Sequence, residues 1–303
     1  MRSCTYGSVV ISRSGVVGQD LGLPVSGYCA FMPKYVFCGD PTTPWRLHGI
    51  IPLCRVIRGY GPLGLDRAVR LSSVREILAP QYGSVIPVYG PWDVLVRVDP
   101  RTALVRVLSR GPLDVIDVLS VVRSWGISMA DIGLTGSFAG GYWHDKSDVD
   151  LVVFDSDAVL RMYHAFRERA TTPDRATKVD LGGLVVRPYT DLSWRRTIIS
   201  GRGVTWIGVP PEPLLHCPPL KAIRTSPRPP RRFVEVEVDI PPGQLSALLY
   251  PPCVRAGGLW IVSYEYNVGG ILYEGGRIVI RGVAGDGVVY LGLRENPGTL
   301  ILL

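Results

Sequence analysis

No stretch of this 303-residue chain approaches the 18 or so uninterrupted apolar residues of a membrane-crossing helix, so no membrane partner is expected. The opening "MRSCTYGSVVISRSG" lacks the apolar centre of a secretion signal, and a cytoplasmic protein is the resulting expectation. Histidine is scarce: His48, His164 and His216 are scattered without metal-ligand spacing, His144 reads as part of a solvated loop, and no catalytic triad is visible. The six cysteines contain no C-x-x-C pair, which leaves a zinc site without support and assigns them to core packing in a reduced compartment. Lysine is nearly missing too. Lys34, Lys146, Lys178 and Lys221 are the only four among 33 basic residues, an arginine bias that suggests a GC-rich or heat-adapted source. Charged residues make up only 19% of the chain against 47% hydrophobic, so disorder is excluded and a large core is expected, divided over two or three domains.

The net charge of +7 favours a polyanionic partner, RNA or DNA. Basic residues concentrate in "KAIRTSPRPPRR", where Lys221, Arg224, Arg228, Arg231 and Arg232 occur without an acid and three prolines keep the stretch extended. It reads either as a solvated linker or as a nucleic-acid-binding arm, since Arg and Lys contacts to phosphate supply most non-specific affinity.

The chemistry concentrates in "GLTGSFAGGYWHDKSDVDLVVF", residues 133 to 154. Leu151 to Phe154 form a β-branched apolar run typical of a buried strand, and Asp148 and Asp150 stand at its start. Side chains at i and i+2 of a strand share a face, roughly 6.6 Å apart along it. Two carboxylates so placed repel each other and lose solvation unless a cation compensates. Hard oxygen ligands suit Mg²⁺ or Mn²⁺, and such a pair can bracket two ions. Ahead of them, Asp131 to Thr135 read as a short strand, Gly136 as a tight turn and Ser137 as the cap of a following helix, a place for phosphate. Lys146, between turn and aspartates, is a further candidate phosphate contact.

Gly136-Ser137, ten residues, then Asp148-Val149-Asp150 resembles the signature of the nucleotidyltransferase fold of the DNA polymerase beta superfamily, and the wording around it is similar to an archaeal group of predicted nucleotidyltransferases. The likeness covers about residues 131 to 207. It implies an enzyme that moves a nucleoside monophosphate from a nucleoside triphosphate to an acceptor hydroxyl, with Asp148 and Asp150 as metal ligands. It also implies a third carboxylate on a later strand, for which "KVDLGGLVV" supplies Asp180, as ligand of a second ion and base toward the acceptor. Asp155, Asp157 and Asp191 are its rivals, although Asp157 and Asp191 read more simply as helix caps. RNA is the first acceptor expected. A non-catalytic nucleic-acid-binding protein on the same scaffold and an antitoxin-like enzyme transferring AMP to a protein are the alternatives, and the third carboxylate separates catalysis from mere binding.

The expected class is α+β. Residues 1–110 read as a β-rich region with one helical piece at "LDRAVRLSSVREILA", and residues 111–209 as the polymerase-beta-like catalytic unit with its mixed sheet. That unit opens on a helix, "LDVIDVLSVVRSW", ended by Gly126, and its Arg195 and Arg196 are read as surface-helix residues with phosphate contact as the alternative. A Pro/Arg linker follows at 210–232, and alternating segments at 233–303 suggest a small β-barrel.

Overall fold

Alternating apolar residues in the first hundred positions form an eight-stranded sheet. Its long central strands, Val16–Val25 and Tyr28–Phe37, pair antiparallel, and Val9–Ser12 joins them to Val94–Val98. The structure, a computed structural model, describes residues 4–59, 61–79, 82–169, 179–187, 193–210, 215–222 and 232–303. All of it is α+β.

Helix Pro100–Arg110 follows, opened by Pro100 in its first turn and by Asp99, whose carboxylate accepts from the Arg101 N–H at 2.9 Å. Helix Leu113–Ser124 then buries Val115, Val118, Leu119 and Val122, the 3.6-residue stripe legible in its sequence. This stripe packs into one apolar core with Leu134, Leu151 and Val153 of a four-stranded sheet. That sheet runs in the order Arg196–Ile199, Arg202–Gly208, Val149–Val153, Ile132–Thr135. Val149–Val153 is central and buried, antiparallel to Ile132–Thr135 and parallel to Arg202–Gly208. Helix Ser156–Arg169 returns across the sheet, and its first turn is capped by Asp155, not Asp157: Asp155 Oδ1 accepts the Ala158 N–H at 2.9 Å.

The C-terminal strands form a second eight-stranded sheet, which among the described residues follows an open path and not a closed barrel. Strand Gly276–Gly285 is its axis, pairing along one edge with Arg232–Ile240 and along the other with Thr299–Leu302 and Val288–Leu291. The hairpin Val179–Leu181/Leu184–Arg187 also belongs here, attached through Thr299–Leu302. The sequence reading expects the strand of Asp180 beside Asp148 and Asp150, but it does not join their four-stranded sheet. The helical piece read at "LDRAVRLSSVREILA" is likewise divided, into helix Pro62–Ser72 and strand Arg75–Ala79.

The expectation of six reduced core thiols is corrected outright. Cys4 is bonded to Cys29, Cys38 to Cys54 and Cys217 to Cys253, and no cysteine is free. No described helix is long and apolar enough to cross a membrane.

Candidate functional site

Both aspartates sit where strand Val149–Val153 begins, and glycine makes room for each. Asp150 lies in register between Thr135 on one neighbour and Thr205 on the other. Gly136, at φ +64°, stands against it: a Cβ there would lie 2.2 Å from Asp150 Oδ2. The carboxylate is thus pressed onto the Gly-Ser turn, and its other oxygen accepts the Thr205 hydroxyl at 2.5 Å. Gly203 does the same for Asp148, since a Cβ would come within 2.2 Å of Asp148 Oδ1. The loop before the pair is pinned by Arg202, whose Nη1 donates to the Ser147 carbonyl at 2.9 Å and the Asp145 carbonyl at 3.1 Å.

The charge of Asp148 is met by Arg196, Nη2 donating to Oδ2 at 3.2 Å, with the two side chains 38% and 67% exposed. An exposed pair of this kind contributes only about 0–1 kcal/mol, so an incoming cation or phosphate can separate it. Asp148, Asp150, Arg195 and Arg196 all line one cavity of about 480 Å³. Its walls come from the N-terminal sheet, the four-stranded sheet and the C-terminal segment around 264–267. That volume falls within the range of small-molecule sites.

Arg195 ends a short 3₁₀ turn, Ser193–Arg195, and Arg196 starts the edge strand; neither is on a surface helix. The Arg195 guanidinium lies 5.0 Å from the Tyr266 ring centroid, a cation–π contact, and Nη1 donates to Asn267 Oδ1 at 3.2 Å. Tyr266 is fixed in turn, donating to the Leu248 carbonyl at 2.6 Å and accepting the Gly208 N–H at 2.7 Å. Burial pushes the Tyr6 and Tyr250 hydroxyls upward, so both are neutral walls of the cavity across the ordinary pH range. Burial also raises the Glu265 carboxyl, against the opposing pull of its hydrogen bonds to Asn267 and of Arg195.

The remaining candidates lie elsewhere. Asp180 is exposed on its hairpin, its Oδ1 accepting the Gly183 N–H at 2.6 Å, and it is not among the residues lining the cavity. Thr205, not a carboxylate, stands beside Asp150 on the parallel neighbour strand, where an in-sheet third acid would face it. Ser137 is half-buried, its carbonyl accepting the Gly141 and Tyr142 N–H groups. Lys146 is exposed in the loop, its N–H on His144 Nδ1 at 3.2 Å. Lys221 is an exposed residue of helix Pro218–Ala222, and Arg232 an exposed start of strand Arg232–Ile240; neither lines the cavity. Arg224, Arg228 and Arg231, like Asp191, lie outside the described residues.

Among the described residues, no group of three or more His, Cys, Asp or Glu side chains converges on a metal position. The donor set fits one hard cation better than two. Mg²⁺ is commonly held by one or two carboxylates and completes its octahedron with water and substrate phosphate, which Asp148 and Asp150 allow. Asp180→Asn is accordingly expected to leave any nucleotide turnover within about twofold of wild type, because the amide oxygen still accepts from Gly183 and nothing in the cavity changes. Turnover rates of the two proteins check it, and a loss of orders of magnitude would return the hairpin to the site.

No protein-family model matches the chain, and no curated protein or solved structure matches it.

Proposed function

We propose that the cavity binds a nucleoside triphosphate as its divalent-metal complex and that the protein transfers the nucleoside monophosphate to an acceptor hydroxyl. One observation carries this reading: Asp148 and Asp150 open together onto a cavity beside the Gly136 turn, with two arginines on the same wall. Asp148 and Asp150 would hold the cation, which when bound would supply positive charge to the phosphates. Arg195 and Arg196 are placed to receive phosphate oxygens, with Arg196 exchanging its contact to Asp148 for one to the ligand. The tyrosine walls exclude water from the reacting oxygen.

Incubation of the protein and Mg²⁺ with nucleotides labelled at the α- or the γ-phosphate tests this, offering total RNA, a protein fraction and a small-molecule fraction as acceptors. The α-label is expected in one fraction and the γ-label in released pyrophosphate; a γ-label on the acceptor would contradict the reading. Binding without transfer is the second reading. It is favoured by the absence of Asp180 from the cavity lining and by the arginine already facing Asp148.

The glycines give a sharper probe than the ligands do. In Gly203→Ala the new methyl meets the far end of the Asp148 side chain, which can rotate away, so the fold should lose only about 1 kcal/mol. The carboxylate then leaves its position, and affinity for the metal–nucleotide complex should fall about tenfold or more. Melting and binding curves measured on one preparation check the two halves. Unchanged affinity would show that the placement of Asp148 is immaterial.

A further inference from the structure

Resting on that transfer reading, we infer that Glu265 is a further catalytic residue of the cavity, its free carboxylate oxygen taking the proton of the acceptor hydroxyl. Glu265 lines the same cavity as Asp148 and Asp150 although it is 115 residues from Asp150 in sequence and only 6% exposed. One oxygen is occupied: Oε1 accepts the Asn267 N–H at 3.0 Å and the Asn267 Nδ2 at 2.6 Å. The other accepts no hydrogen bond among the described residues. A buried carboxylate on a cavity wall with one oxygen anchored keeps the other as an acceptor for whatever enters.

The neighbours link this oxygen to the aspartates. The Tyr6 hydroxyl feels the charges of both Asp150 and Arg195, and the charge of Arg195 reaches Glu265. Arg195 and both acidic positions line the same cavity. Among the described residues the titratable and charged groups facing Glu265 are Arg195, from the 193–195 turn, and Tyr250, whose neutral form burial and the Glu265 charge both favour. Desolvation holds the Glu265 carboxyl above the usual range, toward the operating pH at which a general base is most effective. In the step itself, the acceptor oxygen bonds to the α-phosphorus and the bond from that phosphorus to the oxygen bridging toward the β-phosphate breaks. Pyrophosphate departs with the electron pair, and the hydroxyl proton passes to Glu265. The protein thus recovers, from its C-terminal part, the carboxylate that Asp180 does not supply.

A plainer role is also visible, since the Glu265 side chain caps the short turn Tyr266–Val268. Glu265→Gln separates the two. The amide oxygen can still accept from Asn267, so the cap survives, while the base is gone. With full-length protein, Mg²⁺, α-labelled ATP and the acceptor fraction that wild type labels, E265Q is expected to bind MgATP within about threefold of wild type. Transfer should fall by about a hundredfold or more. The acid limb of the wild-type pH profile should disappear, and E265D should restore part of both. Independently of activity, a carboxyl whose folded pKa lies above its unfolded value gives stability that is present below about pH 4 and is lost as pH rises through the folded pKa. The melting temperature of wild type relative to E265Q should fall across that window.

E265Q transferring with the wild-type profile, or losing transfer only in proportion to MgATP binding, would overturn the catalytic role, as would a melting difference that ignores pH. Wild type binding MgATP yet labelling no fraction would sink the transfer reading first and Glu265 with it.

Discussion

Asp150→Ala is expected to abolish metal-dependent nucleotide binding and to cut transfer by about a thousandfold, with Asp148→Ala close behind. The two should differ in what they do to the fold. Removing Asp150 leaves the Thr205 hydroxyl without its acceptor at a half-buried position, at about 1 kcal/mol. Removing Asp148 releases an exposed arginine that returns to water, and the stability without metal should hardly move. Nucleotide binding and transfer, measured beside thermal melts of both variants in EDTA, check the argument. A variant that melts like wild type and still turns over near the wild-type rate would remove the metal-binding pair from the account.

Reduction of the three disulfides is expected to be the largest stability change available to this protein. They close loops of 25, 16 and 36 residues, and in the chain-entropy account each such loop contributes about 3–4 kcal/mol. Domains are stable by about 5–15 kcal/mol in all, so losing all three removes a large share. The melting temperature should fall by roughly 20 °C, taking about 2 °C per kcal/mol for a chain of this size. Cys4–Cys29 and Cys38–Cys54 both staple the N-terminal sheet, three strands of which wall the cavity, so ligand binding should fail before the C-terminal sheet melts. Alkylation of unreduced protein followed by mass measurement should find no free thiol. Six alkylated cysteines and a melt indifferent to reductant would contradict the pairing.

Much of the local structure was legible because period and punctuation agree. The stripe 115, 118, 119, 122 gives a helix, the apolar run after Asp148 gives a buried strand, and the Gly136 turn lies between them. Where neighbouring strands decide, the sequence misleads. "VREILA" continues a helical pattern, yet Ser73 adopts a left-handed conformation at φ +50° and the segment pairs with Ser84–Tyr89. For Asp180 a local signal existed and was outweighed by family resemblance: Gly182-Gly183 between apolar flanks is a two-residue hairpin turn, and both glycines have positive φ, at +70° and +107°. Among the described residues the strand of Asp180 pairs with Leu184–Arg187, and Thr299–Leu302 takes the other edge of Leu184–Arg187, which ties the hairpin to the C-terminal sheet. The meeting of Arg195 with Glu265 had no such signal, because it depends on packing between segments 70 residues apart. The cysteine pairing was hidden for the same reason, since partners are chosen by the strands that carry them: Cys38 directly follows strand Tyr28–Phe37, and Cys54 lies in its antiparallel neighbour Ile51–Arg55, opposite Val36.

If Asp148 and Asp150 bind nucleotide through a cation, calorimetric titration with ATP in Mg²⁺ and again in EDTA will show it. Wild type should bind one ATP per chain with Mg²⁺ and at least about tenfold more weakly without it. The Asp148→Asn/Asp150→Asn double variant should show no metal-dependent gain, and because the carboxylate repulsion is gone, its weak binding in EDTA should equal or exceed that of wild type. Equal ATP affinity with and without metal in the wild type, or a metal-dependent gain that survives in the double variant, would contradict it.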